Sequence, residues 1–329
     1  MRFGYMLDFR NPEAWHRPWP EIYAESLDFI AWSESIGFDI VWLPEHHCIP
    51  DGFLAAPLTM AAAVAARTKT MRITSGVALA PLYHPLRLAE DMAVVDLLSN
   101  GRSELAIGLG YLKWETDAFG IDFKSRGRRT DELLKIVKRL WAGETVTVEG
   151  EFFNLTGARL SPLPVQKPHI PLLIGGLSQP GFRRCARYGD GFIGAIENYP
   201  AYLAELRAAG KDESAARFDL VSDMWVLVSE DPKAAFDEVA PHFYYQINTY
   251  AKWHAETDWG MQPMDFETFK KSGAVKVFTP EEAIAFLRSR QAAAPAMASY
   301  CMTVPPGFPL PRFQKYAELF AKKVIPAFR

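Results

Sequence analysis

Short apolar runs alternate with helical apolar stripes along most of this chain. Phe3, Tyr5, Met6 and Leu7 predict a first strand within residues 2–8, followed by a rigid loop at Asn11–Pro20 that carries three prolines and two tryptophans. Ile22, Tyr23, Leu27, Ile30 and Ala31 recur at helical spacing until Gly37 stops the pattern. Ile40, Val41, Trp42 and Leu43 then form a near-continuous apolar run, the signature of a strand buried on both faces. At its end the polarity switches abruptly to Glu45, His46 and His47.

The rhythm continues with a small-residue helix at Leu58–Ala66, a strand at Arg72–Pro81 and an amphipathic helix at His84–Leu98 that ends at Asn100-Gly101. A strand at Glu104–Gly110 and a helix at Thr130–Trp141 follow. Strands at Pro171–Gly175, Gly191–Ile196 and Leu220–Ser229 are then separated by helices at Gly181–Tyr188 and Pro200–Ala209. A helix starts at Pro232; another opens at Thr279 with proline and two acids behind the cap. Ala298–Val304 is the last strand and Pro311–Ile325 the closing helix. Eight strands, near residues 5, 41, 76, 106, 173, 193, 225 and 301, alternate with helices, which predicts an α/β fold: a (β/α)8 TIM barrel with insertions, one domain over 1–329. A doubly wound open sheet is the alternative. The insertions fall near 145–164, where VTVEGEFFNL reads as a hairpin across Gly150, and near 241–273. The second segment, with Phe243, Tyr244, Tyr245, Tyr250, Trp253 and Trp259, reads either as a lid or as core and interface packing.

Composition narrows the function classes. Thirty-six basic against thirty-nine acidic side chains give a net charge of −3, which argues against a nucleic-acid or membrane-surface protein. The basic stretch Lys124–Arg129 reads as a solvated loop before a helix. Three cysteines without CxxC spacing, no signal-peptide pattern and no run of about 18 apolar residues predict a cytoplasmic protein.

A barrel brings its strand ends to one rim, where such folds place their chemistry. Here the ends are Leu7-Asp8, Glu45-His46-His47, Gly76–Pro81, Gly108-Leu109-Gly110-Tyr111, Gly175-Gly176-Leu177-Ser178, Glu197-Asn198 and Trp225. The glycines allow a ligand close to the backbone, and free amides with the Ser178 hydroxyl at a helix start suit a phosphate; a tight strand-to-helix turn needs the same glycines. Glu45, His46 and His47 stand where barrel enzymes place their chemistry, with loop caps or a satisfied core histidine as the plainer reading. No third ligand or HExxH spacing supports a metal centre, and neither a GxSxG elbow, a P-loop nor a Rossmann GxGxxG with its downstream acid is present. Trp42 and Trp225 are candidate substrate contacts.

Four stretches in this order, WLPEHH at 42–47, APLYHPLRLAEDMAVVDLLSNGR at 80–102, IGLGYLKWETDAFGIDF at 107–123 and GGLS with ARYGDGF within 175–192, give the chain its resemblance to the bacterial luciferase-like, flavin-dependent monooxygenases. The resemblance implies a TIM barrel, usually dimeric, that takes reduced FMN from a separate flavin reductase and uses O2 to oxygenate a small organic substrate. It implies that His46 serves the reaction of reduced flavin with oxygen, flanked by Glu45 and His47, and that Gly76, Val77 and Ala78 form a strand end with a cis peptide under the flavin ring. Gly108, Leu109, Gly110 and Tyr111, and Gly175, Gly176, Leu177 and Ser178, are implied cofactor contacts. The chain departs from the pattern at Leu109, where some members have a phosphate-binding arginine, and at Gly181, where a hydroxyl residue is usual. Backbone amides, Arg183 or Arg184 are then the candidates to balance the phosphate. Relatives that use a deazaflavin coenzyme and transfer hydride give the alternative reading, and a non-catalytic flavin-binding protein gives a third.

Overall fold

The computed structural model describes residues 1–255, 257 and 261–329. Strands β1 (Arg2–Met6), β2 (Ile40–Leu43), β3 (Arg72–Ser75), β4 (Ala78–Leu79) and β5 (Ser103–Gly108) form the first half of a closed parallel barrel. The hairpin β6 (Val146–Glu149) and β7 (Asn154–Ala158) pairs antiparallel outside it. Strands β8 (Leu172–Gly175), β9 (Gly191–Gly194) and β10 (Phe218–Leu220) continue the barrel, β11 (Val226–Val228) and β12 (Lys276–Phe278) make a separate parallel pair, and β13 (Met297–Thr303) closes on β1. Because β3 and β4 are two parts of one strand, broken at Gly76-Val77, the barrel has eight strand positions.

Helices α1 (Trp19–Ser35), α2 (Pro57–Arg67), α3 (Pro85–Ser99), α4 (Lys113–Ala118), α5 (Arg126–Trp141), α6 (Gln179–Tyr188) and α7 (Tyr199–Ala208) connect successive barrel strands. Between β10 and β13 come α8 (Pro232–His254), α9 (Phe266–Lys271) and α10 (Pro280–Ala293); α11 (Leu310–Lys323) follows β13. Each barrel strand is apolar and buried because helices cover its outer face while its inner face fills the barrel. Met6, Ile40, Trp42, Ala106, Leu173, Ile193 and Cys301 form that inner cluster.

Two expectations change. The strand expected at Leu220–Ser229 is two strands: Phe218–Leu220 belongs to the barrel, and Val226–Val228 leaves it to pair with Lys276–Phe278. The polar pair Ser222-Asp223 falls between the two, flanked by apolar residues on both sides. The helix expected at Thr130 begins at Arg126, inside the basic stretch, so Arg126 and Arg129 are partly buried rather than loop residues in solvent. The helix from Pro232 runs through Pro241 to His254, which makes much of the aromatic segment one helix; Trp259 lies outside the described residues.

The rim opposite the site is closed by charge. Buried Glu104 pairs with Arg2 at 2.8 Å, Arg72 at 2.5 Å and Arg217 at 2.6 Å, and Arg217 also holds Asp219 at 2.8 Å. Burial alone would raise the Glu104 carboxyl, but Arg217, Arg2 and Arg72 outweigh it and hold it down at about 2.

Candidate active site

The site is built from strand ends that turn sharply. Phe9 (φ 58°) and Cys48 (φ 59°) adopt left-handed backbone just beyond β1 and β2, and non-glycine residues rarely do so. The turn at Phe9 directs the chain so that Arg10 is buried, 3% exposed. The turn at Cys48 follows directly on Glu45-His46-His47.

Each member of that triplet is held. Buried Glu115, from α4, accepts through one oxygen from both His46 Nδ1 at 2.9 Å and the His47 backbone N–H at 2.7 Å. With Nδ1 facing a carboxylate, the imidazole carries its proton there and turns Nε2 to the other side. Nε2 is 3.4 Å from the Tyr111 hydroxyl. Glu45 accepts from the Leu79 backbone N–H at 2.7 Å, from the Tyr83 hydroxyl at 3.0 Å, and faces His47 Nε2 at 2.9 Å. Glu45 thus ties β2 to β4 on the far side of the break at Gly76-Val77.

The Gly76–Val77 peptide is cis. A Cβ on Gly76 would lie 2.7 Å from Trp42 Cβ, and one on Gly108 would lie 2.8 Å from Val77 Cγ2. Glycine at both places therefore keeps this part of the rim flat and leaves Val77 partly exposed on it. Trp42 lies below, with 0% exposure, as part of the barrel filling. The expected substrate contact at Trp42 is thereby corrected: its ring has no accessible surface. Trp225 sits beyond the barrel strand and donates its indole N–H to Gln246 at 3.1 Å, so it braces α8 against the rim.

Helix α8 crosses the same rim. Gln246 donates to Asp8 at 3.2 Å and to Thr303 at 3.3 Å, and the Tyr245 hydroxyl donates to Asp51 at 2.6 Å. Farther along, Trp253 packs on His46 with ring centres 5.1 Å apart, and His254 stacks on Tyr111 at 4.2 Å. Burial, together with His46, pushes the His254 imidazole down to about 4, so it is neutral at physiological pH. Burial raises the Asp8 carboxyl to about 6 despite the nearby Arg10.

On the other flank, β8 ends at Gly175 beside β5, and α6 starts behind Ser178. A Cβ on Gly176 would meet Gly181 Cα at 3.0 Å, and one on Gly181 would meet Gly176 Cα at 3.1 Å. The turn and the helix start touch through their backbones, which explains why Gly181 stands where a hydroxyl residue is usual. Leu177 and Ser178 are exposed there. Arg184, one candidate to balance a phosphate, is engaged elsewhere: it donates to Asp131 at 2.6 Å and to the Gly127 carbonyl at 3.2 Å. Arg183 points to solvent, 3.6 Å from Glu205. Burial, and then the charge of neighbouring Arg184, lower the basicity of Arg126; its Nη1 donates to the Phe123 carbonyl at 2.6 Å, and among the described residues its buried Nε has no hydrogen-bond partner.

Sequence reading found the Glu45-His46-His47 triplet and the glycine-rich ends, and the structure puts them on one rim. It missed Arg10, Asp51, Glu115, Gln246 and Tyr83. Arg10 was within reach, since polar residues crowd the end of β1 as they do the end of β2. Glu115 and Gln246 carry no local signal, because helical periodicity does not say which polar residue turns inward.

A sequence model of luciferase-like monooxygenases matches residues 1–286. The oxygenase component of a flavin-dependent trigonelline monooxygenase from Acinetobacter baylyi is 30% identical over 156 residues, 47% of this chain and 43% of that protein. An F420-dependent glucose-6-phosphate dehydrogenase from Kineococcus radiotolerans is 32% identical over 229 residues, 64% of this chain and 66% of that protein. The crystal structure of monooxygenase RslO1 from Streptomyces bottropensis superposes over 100% of both chains with a TM-score of 0.86 at 25% identity. The chain thus aligns with less than half the length of the trigonelline protein and with about two thirds of the dehydrogenase.

Proposed function

The chain belongs to the luciferase-like monooxygenase family, and from that premise we propose that it is a monooxygenase using reduced FMN, delivered by a separate flavin reductase, and O2 to oxygenate a small organic substrate. One observation carries this reading: His46 is fixed through Nδ1 by a buried carboxylate, with Nε2 turned toward Tyr111 on the rim that carries the cis Gly76–Val77 peptide.

The rim fits a flavin. A Cβ would collide at Gly76 and at Gly108 and would press on Gly181 Cα at 3.0 Å from Gly176; bare backbone at these places suits a flat ring system and a phosphate approaching the chain closely. Val77 and Ala78 would support the ring, Gly108–Tyr111 would border it, and Gly175–Ser178 would meet the phosphate. We assign the phosphate's counter-charge to Arg126: its Nη1 donates to the Phe123 carbonyl at 2.6 Å, but its Nε has no partner among the described residues, whereas Arg184 is held by Asp131. Bound reduced flavin would supply the electrons and carry oxygen to the substrate.

The protein's own groups handle protons and exclude water. Glu115 keeps the His46 proton on Nδ1, so that Nε2 can accept one from, or return one to, a group at the rim. Trp253 and Phe53 close over His46 and keep solvent from it. Exposed Val94, Leu97 and Leu98 share one face of α3 at i, i+3 and i+4 spacing, and this apolar face is where we would place a homodimer contact. Three free cysteines suit a cytoplasmic setting. Among the described residues no helix is long and apolar enough to cross a membrane.

A second reading, hydride transfer with a deazaflavin coenzyme, is favoured by Leu109 in place of a phosphate-binding arginine and by the similarity to an F420-dependent dehydrogenase. Replacing His46 with alanine separates chemistry from binding. Oxygen-dependent turnover should fall by orders of magnitude while flavin affinity changes by less than about threefold, and unchanged turnover would remove His46 from the mechanism.

A further inference from the structure

Helix α8 has two faces, and the flavin rim accounts for one of them. Gln246, Tyr250 and Trp253, at i, i+4 and i+7, turn toward the rim, where Gln246 holds Asp8 and Trp253 packs between Tyr250 and His46. On the other face Pro241, Tyr244, Asn248 and Lys252 keep the same helical spacing and border a cleft of about 430 Å³. Trp15, from the loop between β1 and α1, and Phe266 of α9 wall its other sides. The volume is that of a small-molecule site. Trp15, Tyr244, Tyr245 and Phe266 line it with four partly exposed rings. Tyr244 meets Phe266 edge to face at 5.2 Å, and Trp15 meets Tyr245 in the same way at 6.0 Å. Covering such aromatic surface with an apolar ligand removes it from water and is favourable.

The polar groups of the wall select the ligand's charge. Asn248 donates to the Met264 carbonyl at 2.9 Å and accepts from the Met264 amide at 2.8 Å, and the Tyr244 hydroxyl donates to the same carbonyl at 3.0 Å. The Thr249 hydroxyl donates to the Tyr245 carbonyl at 2.7 Å, and the Tyr245 hydroxyl to Asp51 at 2.6 Å. Lys252 is the one charge on the cleft wall among the described residues, and it has no ion pair among them. Lys270, 5.3 Å from the Phe266 ring centre, is paired with Glu267 at 2.6 Å and adds no net charge. We propose that this cleft is a ligand-binding site, separate from the flavin rim, for an aryl-alkyl carboxylate. The ring lies among the four aromatic side chains and the carboxylate meets the Lys252 ammonium. An amine would meet a like charge, and a neutral ring compound would leave the ammonium unused. Tyr245 and Lys252 stand two helical turns apart, about 10 Å along the axis, and side chains lean toward a helix's N-terminus. A short alkyl chain between ring and carboxylate therefore spans the gap.

The test is calorimetric binding of 3-phenylpropanoate, 3-phenylpropanamide, 3-phenylpropylamine and hexanoate to the full chain without flavin. The phenyl acid should bind about fivefold more tightly than its amide, the upper end of what an exposed ion pair contributes. It should also bind more tightly than the amine, whose charge is reversed, and than hexanoate, which lacks the ring. Lys252→Gln should bring acid and amide to within about twofold of each other, and Thr249→Trp, which fills the cleft from α8, should abolish the binding of both. Both substitutions lie on the outer face of α8, so a loss they share locates the ligand there and not at His46. No binding of the phenyl acid, equal affinity for acid and amide, hexanoate bound as tightly as the phenyl acid, or a preference that survives in Lys252→Gln would each overturn the proposal. Binding that persists in a folded Thr249→Trp would overturn it as well; if that variant does not fold, Lys252→Gln decides alone. Neither flavin nor oxygen takes part, so the outcome does not depend on which coenzyme the rim binds.

Discussion

Glu115 is the residue whose removal should expose the geometry of His46. One of its oxygens accepts from His46 Nδ1 at 2.9 Å and from the His47 amide at 2.7 Å, and its side chain is 1% exposed. A hydrogen bond to a charged partner contributes ~1.5–3 kcal/mol, about twice a neutral one. Glu115→Gln keeps an oxygen toward both donors and loses the charge, so the His46 contact should weaken by ~1 kcal/mol, somewhat less than tenfold in rate at 1.36 kcal/mol per decade. Glu115→Ala removes the acceptor altogether and should lower kcat roughly 10- to 100-fold on the same scale. Single-turnover oxidation of reduced flavin measures the rate, fluorescence titration the flavin affinity, and thermal melting confirms the fold. A graded series in rate, with flavin Kd within about threefold of wild type, is expected. Wild-type rates in a folded Glu115→Ala, alongside an inactive His46→Ala, would refute the idea that the carboxylate sets the imidazole's proton.

Three other perturbations test separate parts of the structure. The Asp8 carboxyl is raised by burial to about 6, so between about pH 4 and 6 the folded chain keeps a proton that the unfolded chain has released; stability should fall as pH rises through that window, by at most ~3 kcal/mol, and level off above it. Asp8→Asn should flatten this part of the curve in urea titrations, and an unchanged slope would contradict the assignment. Arg126→Ala should weaken FMN binding about tenfold and leave riboflavin, which has no phosphate, unaffected; equal losses for both would move the phosphate elsewhere. Leu98→Lys, placed on the exposed α3 face, should convert a dimer to a monomer in light scattering, and a dimer that persists would put the interface on another surface.

The barrel was legible because its strands are fully buried and its helices amphipathic, so each change in period marks an element. Legibility failed at Leu220–Ser229, where only the short polar pair Ser222-Asp223 marks the place at which a barrel strand gives way to the β11–β12 pair. It failed also at Arg126, since charge alone cannot distinguish a solvated loop from the first turn of a helix packed on Phe123, whose ring centre is 3.7 Å away. At the site, Glu45-His46-His47 stood out because three polar residues interrupt an apolar strand. Trp42 misled for the opposite reason: an aromatic next to that triplet could face the rim or the barrel interior, and strand alternation sends it inward. Arg10 and Glu115 act across 41 and 69 residues of sequence, on Asp51 and His46, a separation that local patterns do not encode.

The central claim concerns which reduced coenzyme the rim binds. Anaerobic titration of the full chain with FMNH2, FMN and F420, followed by admission of air in a stopped-flow spectrometer, tests it most directly. Preferential binding of FMNH2, and oxidation on admitting air that His46→Ala slows, is the expected result. Selective binding of F420 with no reaction toward oxygen would contradict the claim and make the protein a hydride-transfer enzyme on the same barrel.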